Sequence, residues 1–282
     1  MAKKLMIQCC LLGAGTMRSQ TPHVPITPDE IAADVVNVVK AGASIVHIHA
    51  RDAEGKNSMA TETFVEICDK TREALAKENL DVVLNLTSSG SKFSEDLRLA
   101  HFPVCKPEMC SYDPGTLNWA NSYVFLNTPQ FLERLGKLAI DLDIKPEIEV
   151  FDGGHMQSVE HYVKIGALKQ PVHYQFVLGV TGAMPGNMDS LNYLLPKMLP
   201  GSTWSITGIG RSHLPCLLLG LANGCDGLRV GLEDNIYLEK GVLATNTQLV
   251  ERAVRLSVQA GREIATAADA REILGLTKHV DF

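Results

Sequence analysis

The feature that most constrains this chain is an alternation carried from end to end: a short apolar, β-branched run, a polar exit, then a stretch with helical period. Strand-like runs fall at residues 5–12, 43–52, 81–87, 106–112, 146–151, 172–180, 203–209 and 227–232. Helices are expected over 31–41, 61–79, 94–101, 129–142 and 156–165, within 189–198, and over 213–222, 248–260 and 267–274. Physical signals bound the first helix. Thr27 caps it, Pro28 takes the first helical position, Glu30 completes a capping box and Gly42 stops it. The second carries Phe64, Ile67, Cys68, Thr71 and Leu75 on one face. Eight strand–helix units in 282 residues, with no Pro/Gly/Ser-rich linker, predict a single (β/α)8 TIM barrel domain over residues 1–282, finished by C-terminal helices. A doubly wound open sheet is the competing architecture, because periodicity does not distinguish a closed sheet from one with edges. Gly13-Ala14-Gly15 lacks the continuation of a dinucleotide-binding turn and lends that alternative no support.

Charge and cysteine usage narrow the function classes. The net charge is −6 with no Lys/Arg cluster, which argues against a nucleic-acid partner. Seven cysteines, an odd number without a C-x-x-C pair, fit reduced and mostly buried thiols in a cytoplasmic protein. Cys9-Cys10 read as strand core. Lys3-Lys4 and the apolar run behind them imitate a short signal peptide, but no clear cleavage site follows, so a first strand is expected. No apolar run approaches the ~20 residues that span a bilayer, and no membrane partner is expected.

In a barrel the chemistry collects at the strand C-terminal ends. Here those exits are polar where a purely structural core would place Val, Ile and Leu. They carry Thr16, Arg18, His47, His49, Arg51, Asn85, Thr87, Ser88, Glu108, Ser111, Glu147, Glu149, Asp152, Gln175, Thr207, Arg211, Arg229, Glu233 and Asp234. His47 and His49 alternate with Ile48, so both imidazoles share one strand face. Such a pair is either a hydrogen-bonded core couple or two ligands of one divalent metal ion. Strand eight neighbours strand one in a closed barrel, which brings Glu233 within reach as a third ligand. Asp234 beside Arg229 would then stay ionised and oriented, as a general base needs; the plainer reading of Glu233-Asp234 is a capping or solvated acidic pair. Glu149 is either a barrel-mouth carboxylate or the partner of Arg211 or Lys106. Arg211 follows a glycine-rich turn that either admits a phosphate or pantetheine chain or is a surface loop. His101 reads as a helix terminus. The remaining histidines, His23, His155, His161, His173, His213 and His279, show no partner pattern. Trp119 and Tyr123 are either a lid or packing residues.

Several separated strings resemble the β-keto acid cleavage enzyme family, whose lysine-fermentation members act on 3-keto-5-aminohexanoate. They are the segments 25–32, 42–52 (Gly-Ala-Ser-Ile-Val-His-Ile-His-Ala-Arg-Asp), 106–109, 175–180, 203–211 and 229–236 (Arg-Val-Gly-Leu-Glu-Asp-Asn-Ile), in the same order and over nearly the whole chain. The resemblance implies a TIM barrel, a homotetramer and a catalytic Zn²⁺ or another divalent metal held by His47, His49 and Glu233. It implies Asp234, oriented by Arg229, as the base. Thr87, Ser88 and Ser111 would hold the carboxylate or polar tail of the substrate, and Arg211 is the possible CoA contact. The reaction implied is an exchange in which a 3-keto acid and acetyl-CoA give acetoacetate and a shortened acyl-CoA.

Three positions depart from the lysine-pathway pattern. Gly15 stands where those members carry Glu, Asp113 where they carry Asn, and Ser89 where they carry Gly. The expectation is therefore either a different 3-keto acid or a cationic substrate received through Asp113. Two other classes compete with the family reaction: a metal-dependent aldolase, lyase or hydrolase without CoA, and a non-catalytic binding barrel with a structural metal.

Overall fold

The computed structural model describes residues 4–277; Lys3 and His279 lie outside the described residues. Eight parallel strands close into a barrel: β1 (Met6–Cys10), β2 (Ile45–Ile48), β3 (Val83–Leu86), β4 (Met109–Tyr112), β5 (Lys145–Val150), β6 (His173–Leu178), β7 (Thr203–Gly208) and β8 (Gly227–Val230). Their spatial order follows the chain, and β1 pairs with both β2 and β8. Closure removes the open-sheet alternative. In register, Cys10 lies opposite His47, His47 opposite Asn85, and Gln8 opposite Arg229. The histidine strand therefore sits two places from the arginine strand.

The helices form for reasons visible in their ends. In α1 (Pro28–Ala41), Glu30 N donates to Thr27 Oγ1 while Glu30 Oε2 accepts from the backbone of Thr27 and Ile26. The helix stops at Gly42, whose φ of +114° suits glycine. Helix α2 (Thr61–Lys77) buries the five residues expected on its apolar face. Next come α3 (Glu95–Ala100), a short turn α4 (Phe102–Cys105), α5 (Pro129–Asp141), α6 (Gly153–Lys164), α7 (Met188–Leu194), α8 (His213–Ala222), α9 (Asn246–Gln259) and α10 (Ala267–Leu274). His101 caps α3, as expected. Among the described residues, no helix is long and apolar enough to cross a membrane.

The barrel interior is layered. Its floor is apolar: Met6, Ile45, Val83 and Met109 pack against Ala265, Ala270 and Leu274 of the C-terminal segment. Each buried Met, Ile, Val or Leu side chain in this set contributes about 1.5–3 kcal/mol of transfer free energy. Above the floor the interior turns polar, with Gln8 and Asn85 both donating to Glu147 Oε2. Glu108, expected among the strand exits, precedes β4 and lies at the floor, where Arg271 of α10 holds it. Lys106 takes a left-handed conformation, and Pro107 has no N–H to donate, so the ladder begins only at Met109. The connection after β4 is more ordered than its sequence indicates. It forms a hairpin, Leu117–Trp119 paired with Tyr123–Phe125, at the C-terminal mouth.

Candidate active site

The mouth of the barrel opens into a cavity of about 440 Å³. His49, Asp113, Glu149, Arg229, Glu233 and Asp234 line it, with the loop 13–16, Asn57, the segment 89–92, and the aromatic side chains Trp119, Tyr123, Phe125 and Phe151.

The two histidines reach this site by different means. His47 ends its side chain inside the barrel on β2 and is 1% exposed. His49 stands just beyond the strand, before Ala50–Arg51 pairs with Asn57–Ser58. Glu233 comes from the β8 exit, where Gly231 (φ +138°) turns the chain so tightly that a Cβ would meet Cys10 O at 2.1 Å. That exit is pinned on both sides. Asn246, at the start of α9, accepts from Leu232 N and donates to Leu11 O, and Thr16 Oγ1 donates to Leu232 O. The resulting geometry places His49 Nε2 3.1 Å from Glu233 Oε1 and His47 Nε2 3.7 Å from Oε2.

This donor set fits a divalent metal. One ligand atom from each of His47, His49 and Glu233 lies within 4.8 Å of the others. Burial holds the His47 imidazole down at about 3, so it is neutral and free to donate a lone pair. Burial alone would raise the Glu233 carboxyl, but His49, Arg229 and His47 outweigh it and hold the group well below the usual range. Its Oε2 finds no hydrogen-bond partner among the described residues. His47, Glu147 and Glu149 meet the same spacing. There, however, Glu147 Oε2 is already engaged by Gln8 and Asn85, and Glu149 by Arg229.

Arg229 is the hub of the mouth. Its Nε and Nη2 hold the two oxygens of Asp234 at 2.9 and 3.1 Å, Nη1 donates to Glu149 at 2.8 Å, and Nη2 lies 3.4 Å from Glu233. Thr207 Oγ1 adds a longer bond to Asp234 at 3.3 Å. Burial raises the Asp234 carboxyl and Arg229 opposes that rise, leaving a fixed carboxylate more basic than a free one. Burial drives Glu149 up more strongly, again against Arg229. The expectation left open for Glu149 resolves to the barrel mouth, where Arg229 is its partner.

The other site residues expected from sequence divide. Asp113 lines the cavity, and so does its neighbour Ser89, whose Oγ donates to Asp113 Oδ2 at 2.9 Å. Thr87, Ser88 and Ser111 are fully buried behind that wall. Ser88 and Ser111 engage each other, and Thr87 Oγ1 accepts from Ser89 N. Arg211 is exposed in the turn after β7, at the mouth end but off the cavity wall. Arg18 is paired with Glu30 on the surface, and Asp152 caps α6. Trp119 and Tyr123 form part of the wall, Trp119 packing edge-on against Phe125 and Phe151. Sequence reasoning missed Asn57, Lys92, Phe125 and Phe151. The one available signal was Phe151, two residues after Glu149 at the end of β5.

Known proteins give a consistent picture. Residues 4–276 match the family model described as beta-keto acid cleavage enzyme. The chain is 38% identical over 279 residues to the 3-keto-5-aminohexanoate cleavage enzyme of Fusobacterium nucleatum, covering 99% of this chain and 100% of that one. It is 35% identical over 300 residues to the 3-dehydrocarnitine:acetyl-CoA trimethylamine transferase of Rhizobium meliloti, covering 99% and 98%. Among solved structures, apo ObcA shares the fold, with a TM-score of 0.79 at 22% identity over 93% of this chain and 67% of that one.

Proposed function

The chain belongs to the β-keto acid cleavage enzyme family, and from that premise we propose that it exchanges a 3-keto acid with acetyl-CoA, using a divalent metal, zinc foremost, at His47, His49 and Glu233. The substrate is 3-keto-5-aminohexanoate or a related 3-keto acid, and the products are acetoacetate and the acyl-CoA of the remaining fragment. The observation that carries this reading is a fixed, buried carboxylate, Asp234 on Arg229, at the same cavity as His49 and Glu233 of the His/His/Glu set.

When bound there, a divalent ion supplies Lewis-acid polarisation of the 3-keto group and so acidifies the C2 proton. The chain's own residues do the rest. Asp234 removes that proton; Arg229 keeps its carboxylate ionised and aimed, and burial raises its basicity toward the task. The C2 carbanion equivalent bonds to the acetyl carbonyl carbon, and the C–S bond to CoA breaks. The released thiolate then adds to the former 3-keto carbon. The C2–C3 bond breaks, giving the new acyl-CoA, and C2 takes back the proton from Asp234 as acetoacetate leaves. Glu149 holds Arg229 from the opposite side, so the guanidinium cannot swing away from Asp234. Thr87, Ser88 and Ser111 support the wall that receives the acid, and Arg211 offers CoA a cation at the mouth end.

A homotetramer working in the cytoplasm belongs to the same reading. Seven free buried thiols suit a reducing compartment, and exposed Leu214 and Leu218, one helical turn apart on α8, offer apolar surface of the kind subunit contacts cover.

The test is acetoacetate formation from a panel of 3-keto acids, with and without acetyl-CoA, before and after chelation. Turnover should require acetyl-CoA, vanish on metal removal, return with zinc, and fall at least about a hundredfold in His49→Ala. Breakdown of the keto acid at an equal rate without acetyl-CoA would make the protein a CoA-independent lyase or hydrolase instead.

A further inference from the structure

Four carboxylates line the cavity: Asp113, Glu149, Glu233 and Asp234. Three are engaged by basic groups. Glu149 and Asp234 accept from Arg229, and Glu233 lies against His49 and Arg229. Asp113 is different. It is 2% exposed, its Oδ2 accepts from Ser89 Oγ, and its Oδ1 has no hydrogen-bond partner among the described residues. Arg98, whose charge it feels, directs its donors elsewhere, to Ser88 O, Leu126 O and Asn127 Oδ1.

An unpartnered buried carboxylate oxygen is costly to keep unless something completes it. The wall around the same cavity shows what kind of group would. Trp119, Tyr123, Phe125 and Phe151 present aromatic surface there, and the Tyr123 ring already faces an ammonium, with Lys92 Nζ 5.9 Å from its centroid. Aromatic faces with a carboxylate behind them favour a cation, above all a poorly hydrated one such as an alkylated ammonium. Gly15 also lines the cavity, and with open space where a Cβ would stand that position contributes no charged side chain.

We infer that Asp113 and the aromatic wall of Trp119, Tyr123, Phe125 and Phe151 select 3-keto acids whose tail ends in a cationic nitrogen. This deepens the reading of the reaction given above and rests on it for the keto acid. Lys92 argues for the opposite, an anionic tail, but it is exposed: water satisfies an exposed ammonium at little cost, whereas the buried Asp113 oxygen has nothing else.

Two measurements test the inference. The first is kcat/KM for 3-keto acids of matched length bearing ammonium, trimethylammonium, tert-butyl or carboxylate tails, in wild type, Asp113→Asn, Trp119→Leu and Lys92→Met. Cationic tails should exceed the neutral isostere at least about tenfold, and Asp113→Asn should erase that ratio mainly through KM. Trp119→Leu should penalise the trimethylammonium tail more than the ammonium tail. The second is calorimetric binding of two unreactive probes, 4-(trimethylammonio)butyrate and its neutral isostere 5,5-dimethylhexanoate, to the metal-loaded protein. It reads the wall whether or not any acid turns over. Tighter binding of the cationic probe that Asp113→Asn abolishes supports the inference. Equal binding of the two probes overturns it, as does a carboxylate-tail preference that Lys92→Met removes. Absence of acetoacetate from every acid, with the cationic probe still preferred, would count against the reaction alone.

Discussion

At the scale of single residues, the site depends on close approaches as much as on charged groups. Gly13 is the clearest case. A Cβ there would stand 2.7 Å from Glu233 Cγ, so the absence of a side chain lets Glu233 lie in reach of both histidines. Arg51 fixes the same loop by donating to the carbonyls of Gly13 and Thr16. Gly13→Ala should therefore leave the fold intact while weakening zinc retention about tenfold or more, read by competition with a chromophoric chelator. An unchanged zinc affinity would show that Glu233 does not depend on this contact. His47 and His49 were legible because their i, i+2 spacing in an extended run puts them on one face, although β2 itself ends at Ile48. Glu149 was not. Its partner Arg229 lies 80 positions away on a non-neighbouring strand, and one sequence carries no signal of the barrel register that makes them meet.

At the scale of elements, the helix ends were legible because caps are local chemistry. Thr27, Pro28 and Glu30 act within one turn, and the five buried residues of α2 follow from period alone. Strand starts were less legible: counting Lys106–Glu108 into β4 put Glu108 at the wrong end of the barrel. There it meets Arg271 of α10, which donates through Nε and Nη2 to Glu108 and through both terminal nitrogens to Asp81. Glu108 is fully buried, whereas Asp81 is partly exposed and contributes less. Arg271→Ala should therefore destabilise by about 3–5 kcal/mol in chemical denaturation, because it strands a buried carboxylate on the barrel floor. Glu108→Gln in the same chain should restore part of that loss. A loss below about 1 kcal/mol would mean that α10 holds the floor by apolar packing alone. The hairpin between Leu117 and Phe125 escaped sequence reading because its strands are three residues each, too short for alternation to show.

At the scale of the whole molecule, barrel closure converts distant sequence motifs into one mouth. Strand β1 contributes the loop 13–16, β2 the histidines, β5 Glu149, and β8 both Arg229 and the exit carrying Glu233 and Asp234. At the other end α10 packs over the apolar floor of Met6, Ile45, Val83 and Met109. This division of labour is why the fold could be inferred from periodicity, whereas the cavity wall required the folded chain. It also fixes what the chemistry must do with its atoms. If Asp234 opens C2 of the keto acid to attack an acetyl thioester, two carbons of the acetoacetate come from each substrate. The most direct measurement is therefore turnover of an unlabelled 3-keto acid with acetyl-CoA labelled by ¹³C at both acetyl carbons, followed by NMR of the acetoacetate. The label should appear at C3 and C4 and be absent from C1 and C2, with the new acyl-CoA unlabelled. Unlabelled acetoacetate, or label in the acyl-CoA, would contradict the exchange.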